Sequence, residues 1–254
     1  MKQLILTADD FGRSTQINEA IERACEAGFL TQASLMVNEP AADEAARIAR
    51  RHPEFCVGLH LTLCDGRASS VSELTDAQGN FITSPARAGL RYAFRSSLAA
   101  PLREEIRAQF TKFRTLGFKP SYWDGHTHLH LHPTILHHTL PIAAEEGFRA
   151  VRLVREPGQR STLPTIFKLL SENAIRVLRG HDIRFTDRIF GLRGTGRMST
   201  ARIAQVLETL PDGLSELYFH PGAEPEEINY AALVPLLAKF AITPRSLPPP
   251  PVVR

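Results

Sequence analysis

Short apolar runs alternate along this chain with longer stretches in which apolar residues recur about every three or four positions. Leu4-Ile5-Leu6 leads into INEAIERACEAG, where Ile17, Ala20, Ile21 and Ala24 share one helical face and Gly28 supplies a stop. ASLMV precedes AADEAARIARR, and FCVGLHLTL follows it. Pro101 opens a helix running towards Gly117, and PSYWD then passes through a histidine-rich stretch into a helix ending near Gly147. RAVRLV, the helix LPTIFKLLSENAIRVL, a weak strand DIRFT, the helix STARIAQVLETL and the strand ELYFH complete the series. About seven β-then-α units predict an α/β chain with a parallel sheet, either a distorted or incomplete (β/α) barrel or an open doubly wound sheet.

The same pattern places one domain over residues 1–243. Residues 62–100 are long for a plain loop and are expected to carry an insertion with short helices, of a kind that can serve as a lid. No obvious final strand follows His220, so the barrel is expected to close irregularly. The Pro-rich segment within 244–254 should be extended or disordered.

Composition narrows the class. With 43% apolar and 22% charged residues over 254 positions, the chain can bury a sizeable core. The net charge of +3 is scattered, whereas a nucleic-acid-binding protein needs a concentrated basic face. Cys25, Cys56 and Cys64 form no CxxC pair, which fits a reducing compartment. MKQLILTADD is too short in apolar residues for a signal peptide, and there is no apolar run of the roughly 18 residues a transmembrane helix needs. A cytoplasmic location is expected, with a homo-oligomer left open.

The polar residues matter more than the count of elements. TADDFG, the histidine of GLHLTL, the DGH of WDGHTHLHLHP, the arginine of RAVRLV and the histidine of YFHPGA each end a predicted strand, where a β/α barrel gathers its catalytic groups. Each has a plainer explanation taken alone. Asp9-Asp10 could cap a helix, His60 could be a core histidine, and His220 could sit in a hydrogen-bonded turn. Of His126, His128, His130 and His132, only the first one or two should reach a strand-end site, because Pro133 begins a helix. Together they suffice for chemistry: one aspartate and two histidines can hold a divalent cation, a second aspartate can take a proton from water, and a histidine can give one to a leaving group.

The order TADDFG, GLHLTL, DGHTHLH, VR and FHPG resembles the YdjC-like carbohydrate deacetylases over roughly residues 3–223. LTADDFGRSTQINEAIERA and the FGL at 190–192 are most similar to the hopanoid-biosynthesis-associated branch. The resemblance implies a distorted β/α barrel that removes acetyl from an N-acetylglucosamine-type sugar, on a hopanoid glycolipid in that branch. It implies Asp10, His60 and His126 as ligands of one divalent metal, Zn²⁺ or Mg²⁺, with Asp9 as general base and His220 as general acid. Arg152 would hold the base or the substrate, and His128 would contact substrate. The helix LPTIFKLLSENAIRVL could offer an apolar face to a lipid at the inner membrane surface, or could be an ordinary helix packing on the barrel. Competing readings are another mononuclear metal hydrolase (a phosphoesterase or cyclic amidohydrolase), a soluble chitooligosaccharide deacetylase, and a sugar- or lipid-binding protein without catalysis.

Overall fold

The computed structural model describes residues 1–158 and 162–247. Among them, nine strands form one sheet in which every pairing is parallel: β1 (Lys2–Phe11), β2 (Gln32–Leu35), β3 (Cys56–Leu61), β4 (Tyr122–Gly125), β5 (Ala150–Val151), β6 (Arg184–Phe185), β7 (Arg188–Phe190), β8 (Gly213–Phe219) and β9 (Ile242–Arg245). Their order is β6-β5-β4-β3-β2-β1-β8-β7, with β9 beside β1. Helices α1 (Thr15–Glu26), α2 (Ala42–Arg51), α3 (Pro85–Phe94), α4 (Ala99–Thr115), α5 (Pro133–Glu145), α6 (Thr162–Leu178), α7 (Thr200–Glu208) and α8 (Tyr230–Lys239) connect them. The sheet curls until its two end strands are joined by two residues of chain, and Ile189 N donates to the Arg155 carbonyl after β5 at 3.3 Å. This is the expected irregular barrel.

The alternation of side chains explains the curl. Leu4, Leu6 and Ala8 of β1 face the outer apolar layer under the helices, so Ile5, Thr7 and Asp9 face the interior. The same period assigns Gln32 and Ser34, Gly58 and His60, Tyr122 and Asp124, Ala150 and Arg152, and Glu216 and Tyr218 inward. Ile5, Tyr122, Ala150 and Leu247 make an apolar floor. Above it the interior is polar, and a one-residue slip of any strand would exchange it with the outer layer. Gly58 is glycine for a local reason: a Cβ there would collide with the Tyr122 ring.

Three expectations are corrected. A final strand does exist: β9 pairs with the first half of β1, from Lys2↔Ile242 to Ile5↔Arg245, while β2 pairs with the second half. Pro244 is tolerated because β9 has one neighbour only among the described residues. The expected tail therefore begins as sheet, with Pro244 and Arg245 in β9 and Leu247 buried in the floor; the prolines from 248 on lie outside the described residues. Finally, the weak strand near 184 is two short ones, β6 and β7, separated by Thr186 and Asp187.

The 62–100 segment carries α3 and a 3₁₀ turn at Ser96–Leu98. Its start is anchored by Glu105 of α4, a buried carboxylate that accepts from Ser69 N at 3.0 Å and from Gln109 Nε2 at 2.7 Å. No helix among the described residues is long and apolar enough to cross a membrane.

Candidate active site

β1 does not end as a regular strand. Its register with β2 shifts between Ala8 and Phe11, and Asp10 takes a left-handed backbone (φ 63°). A bulge re-aims side chains. Adjacent aspartates would otherwise point to opposite faces, whereas here both are buried at the interior rim.

Asp10 Oδ1 lies 3.4 Å from His60 Nε2 and 3.0 Å from His126 Nδ1. It has no hydrogen-bond partner of proper geometry among the described residues. The three ligand atoms all lie within 4.8 Å of one another. Tetrahedral ligands around Zn²⁺ stand about 3.3 Å apart, so two imidazole nitrogens and a carboxylate oxygen at these spacings could hold such an ion. Each imidazole is turned by a carboxylate on its far side: His60 Nδ1 is 2.7 Å from Asp124 Oδ1, and His126 Nε2 is 3.3 Å from Asp65 Oδ2. Burial opposes protonation of His60, but Asp124 and Asp10 push it up to about 10. A cation beside Asp10 would replace the Nε2 proton. Asp10 is itself held well below the usual carboxylate range, burial being outweighed by His126 and His60.

Directly below sits Arg152, wholly buried. Its Nη1 and Nη2 donate to Asp9 Oδ2 and Oδ1 at 2.7 and 2.8 Å, a two-point grip on that carboxylate. Nη1 is also 2.8 Å from Asp124 Oδ2, and Nε donates to Glu216 Oε1 at 2.9 Å. Thr7 Oγ1 donates to the same Glu216 oxygen at 2.7 Å. One guanidinium thus gathers three buried carboxylates from β1, β4 and β8. Burial pushes Glu216 up, with Arg152 pulling the other way. Asp124 is held well below its ordinary value because Arg152 and His60 outweigh burial.

A model of the YdjC-like protein family matches residues 3–243. The chain belongs to that family. It is 36% identical over 249 residues to a carbohydrate deacetylase of Mus musculus, covering 87% of this chain and 78% of the relative. A carbohydrate deacetylase of Geobacillus stearothermophilus is 31% identical over 220 residues, with 85% and 78% covered. A solved structure from Enterococcus faecalis V583, named for cellobiose-phosphate cleavage, matches with TM-score 0.69 over 97% of each chain. At 20% identity that match speaks for the fold alone.

In this YdjC-like chain Asp9, His60, His126, His128 and His220 open into one cavity of about 290 Å³, with Tyr218 and Thr195 beside them. Pro85, Leu163, Phe167 and Leu192 line its other side. A larger hollow of about 510 Å³ between Arg155 and Lys168 holds none of these groups, so chemistry rather than size selects the site. His220 follows β8, its Nδ1 3.7 Å from the buried Glu224 Oε1. Burial opposes its protonation, yet Glu224, Asp10 and Asp9 raise it above the usual imidazole value.

The histidine run divides as its backbone dictates. β4 stops at Gly125, and Thr127 and His128 are left-handed (φ 54° and 58°), so the alternation of a strand is lost. His126 turns to Asp10. His128 Nε2 pairs with Tyr218 Oη at 3.0 Å, leaving a buried Nδ1 without a partner among the described residues. His130 Nε2 donates to the Arg152 carbonyl at 2.9 Å, and burial takes it down to about 4. His132 stands at the start of α5. Of the two roles expected for Arg152, the geometry fits holding Asp9 rather than a substrate: no part of the guanidinium is exposed, and its donors are on carboxylates. Asp124, Glu216 and Asp65 were missed, as was Arg13, which donates to Asp10 Oδ2 and to Asp65 Oδ2, both at 3.1 Å. DGH showed Asp124 at a strand end, but nothing local signals its partners.

Proposed function

We propose that this protein is a metal-dependent N-deacetylase acting on an N-acetylglucosamine-type sugar, with a glycolipid of the hopanoid kind as its extended substrate. The observation that carries this reading is the cluster of Asp10, His60 and His126, whose two histidines share one cavity with Asp9 and His220. Asp10, His60 and His126 would hold the cation, Zn²⁺ or Mg²⁺. When bound, it supplies a Lewis acid for the acetamide carbonyl and for water. Asp9, aimed by Arg152, accepts the proton of the attacking water. His220 delivers a proton to the sugar nitrogen as the C–N bond breaks, so that acetate and a free amine leave. His128 and Tyr218 meet the sugar.

The lipid part is supported by the apolar side of the cavity and what adjoins it. Leu163 and Phe167 of α6 line the mouth, and Leu163, Ile166 and Leu169 are 53%, 47% and 60% exposed. α3, whose Pro85 also lines the mouth, exposes Leu90 and Phe94 beside Arg87 and Arg95. Apolar side chains flanked by cations suit the anionic inner membrane surface, where we place the enzyme. The test is acetate release from an N-acetylglucosaminyl hopanoid and from diacetylchitobiose, before and after stripping and reloading metal. Release from the lipid confirms both parts of the reading. Release from the soluble sugar alone removes the lipid. Phosphoesterase activity without acetate release removes the deacetylase.

Two results are expected along the way. Asp65→Asn should weaken metal binding about 10- to 100-fold by freeing His126 Nε2, read by competition with a chelator. Asp65 is partly exposed, so the fold should be little affected. Glu224→Gln removes the nearest anion from His220, whose raised pKa keeps it protonated above the ordinary imidazole value of about 6.5. The alkaline limb of kcat should therefore move to lower pH in the variant.

A further inference from the structure

At the other end of the barrel a second set of ligand-type side chains converges. α1 leaves the catalytic end after β1 and returns, so its last turn, with Glu22, Cys25 and Glu26, lies where β2 begins. The turn from α2 into β3 brings His52 and Glu54 against it. Cys25, His52 and Glu54 each offer a ligand atom within 4.8 Å of the others, and Glu22, Glu26 and His52 do the same.

The distances argue for a shared ion rather than direct hydrogen bonds. His52 Nδ1 is 3.6 Å from Glu54 Oε1, and His52 Nε2 is 3.6 Å from Glu22 Oε1. Both exceed a hydrogen bond and approach the spacing of two ligands on one metal. The two overlapping sets are not equivalent. Glu22 Oε1 already accepts from Arg51 Nε at 3.2 Å and is paired with Arg51 Nη2. That engagement suits an outer partner for the imidazole better than a ligand. Glu54 is largely exposed and gives an ion a path from solvent.

We propose that Cys25 Sγ, His52 Nδ1 and Glu54 form a second metal site that takes Zn²⁺, with Glu22 orienting the imidazole from Nε2. A thiolate, an imidazole and a carboxylate favour zinc over magnesium. The site ties α1 to the α2–β3 turn at the barrel end associated with stability, not catalysis. It stands whether or not the proposed deacetylation is correct.

Cobalt(II) separates the two centres, because Asp10, His60 and His126 include no sulfur. Metal-stripped full-length protein titrated with Co²⁺ should develop a near-ultraviolet thiolate-to-cobalt band. The band should be absent in Cys25→Ser, need about tenfold or more Co²⁺ in Glu54→Gln, and persist in His126→Ala. Zinc should raise the unfolding midpoint of His126→Ala, and Cys25→Ser should abolish that rise. Cys25→Ser should leave catalytic activity unchanged. No band at saturating Co²⁺ overturns the proposal. So does a band that survives Cys25→Ser, which would assign it to Cys56 or Cys64.

Discussion

Asp9→Asn should lower kcat for acetamide hydrolysis by about 10²- to 10⁴-fold, the range that a positioned general base contributes. The substitution preserves size and leaves Asp10, His60 and His126 in place, so metal affinity should be nearly unchanged. Its structural cost comes from Arg152. Two guanidinium N–H groups now donate to the two Asp9 oxygens, and an amide offers one oxygen and one competing N–H group. One buried donor is left unmatched, at a cost of about 1–3 kcal/mol. The expected pattern is a folded, metal-binding protein with little turnover, checked by kinetics beside thermal unfolding and metal titration. Turnover close to that of the parent protein would remove Asp9 as the base.

Arg152→Met should destabilise the fold by about 3–5 kcal/mol, the cost of breaking a buried charged network from one side. Asp9, Asp124 and Glu216 would face one another without the cation that joins them. For a chain of this size that corresponds to a fall in Tm of about 6–20 °C. Arg152→Lys should fall between the two, since an ammonium keeps the charge but cannot grip both Asp9 oxygens while reaching Glu216. Adding Glu216→Gln to Arg152→Met should recover part of the loss by removing one ionisable group. Denaturant unfolding of the three variants measures the series. Equal stability of Arg152→Met and the parent protein would show that the network contributes nothing net.

Much of the candidate site could be read from the chain because its residues lie at strand ends, and strand ends are visible as apolar runs giving way to polar residues. Asp9, Asp10, His60, His126 and His220 all follow this rule and share one cavity or its rim. What escaped was relational. Asp124 and Glu216 are ordinary-looking acids in or beside apolar runs, and their meaning depends on Arg152, whose bonds to Asp9 and Glu216 span 143 and 64 positions. The bulge at Asp10 has no residue-level marker, because aspartate tolerates the left-handed region without requiring it. β6 and β7 are too short for periodicity to register, and Pro244 disguised β9. Asp65 entered from the expected insertion, whose composition says nothing of where it docks.

The interior of β1 is completed from far along the chain, and the strand it pairs with most extensively, β8, comes last but one. Thr7 and Glu216 are 209 positions apart. During synthesis the first strand emerges as an apolar ribbon with two adjacent acids and waits unpaired on its β8 side until nearly the whole chain is made. Loop closures of this span should slow folding and prolong the exposure of unpaired strand edges. A chain released before Gly213 lacks the Glu216 contact to Arg152 and the edge that hides β1. The barrel is thus a product of completed synthesis, and its yield in a cell should follow chaperone supply more closely than its final stability.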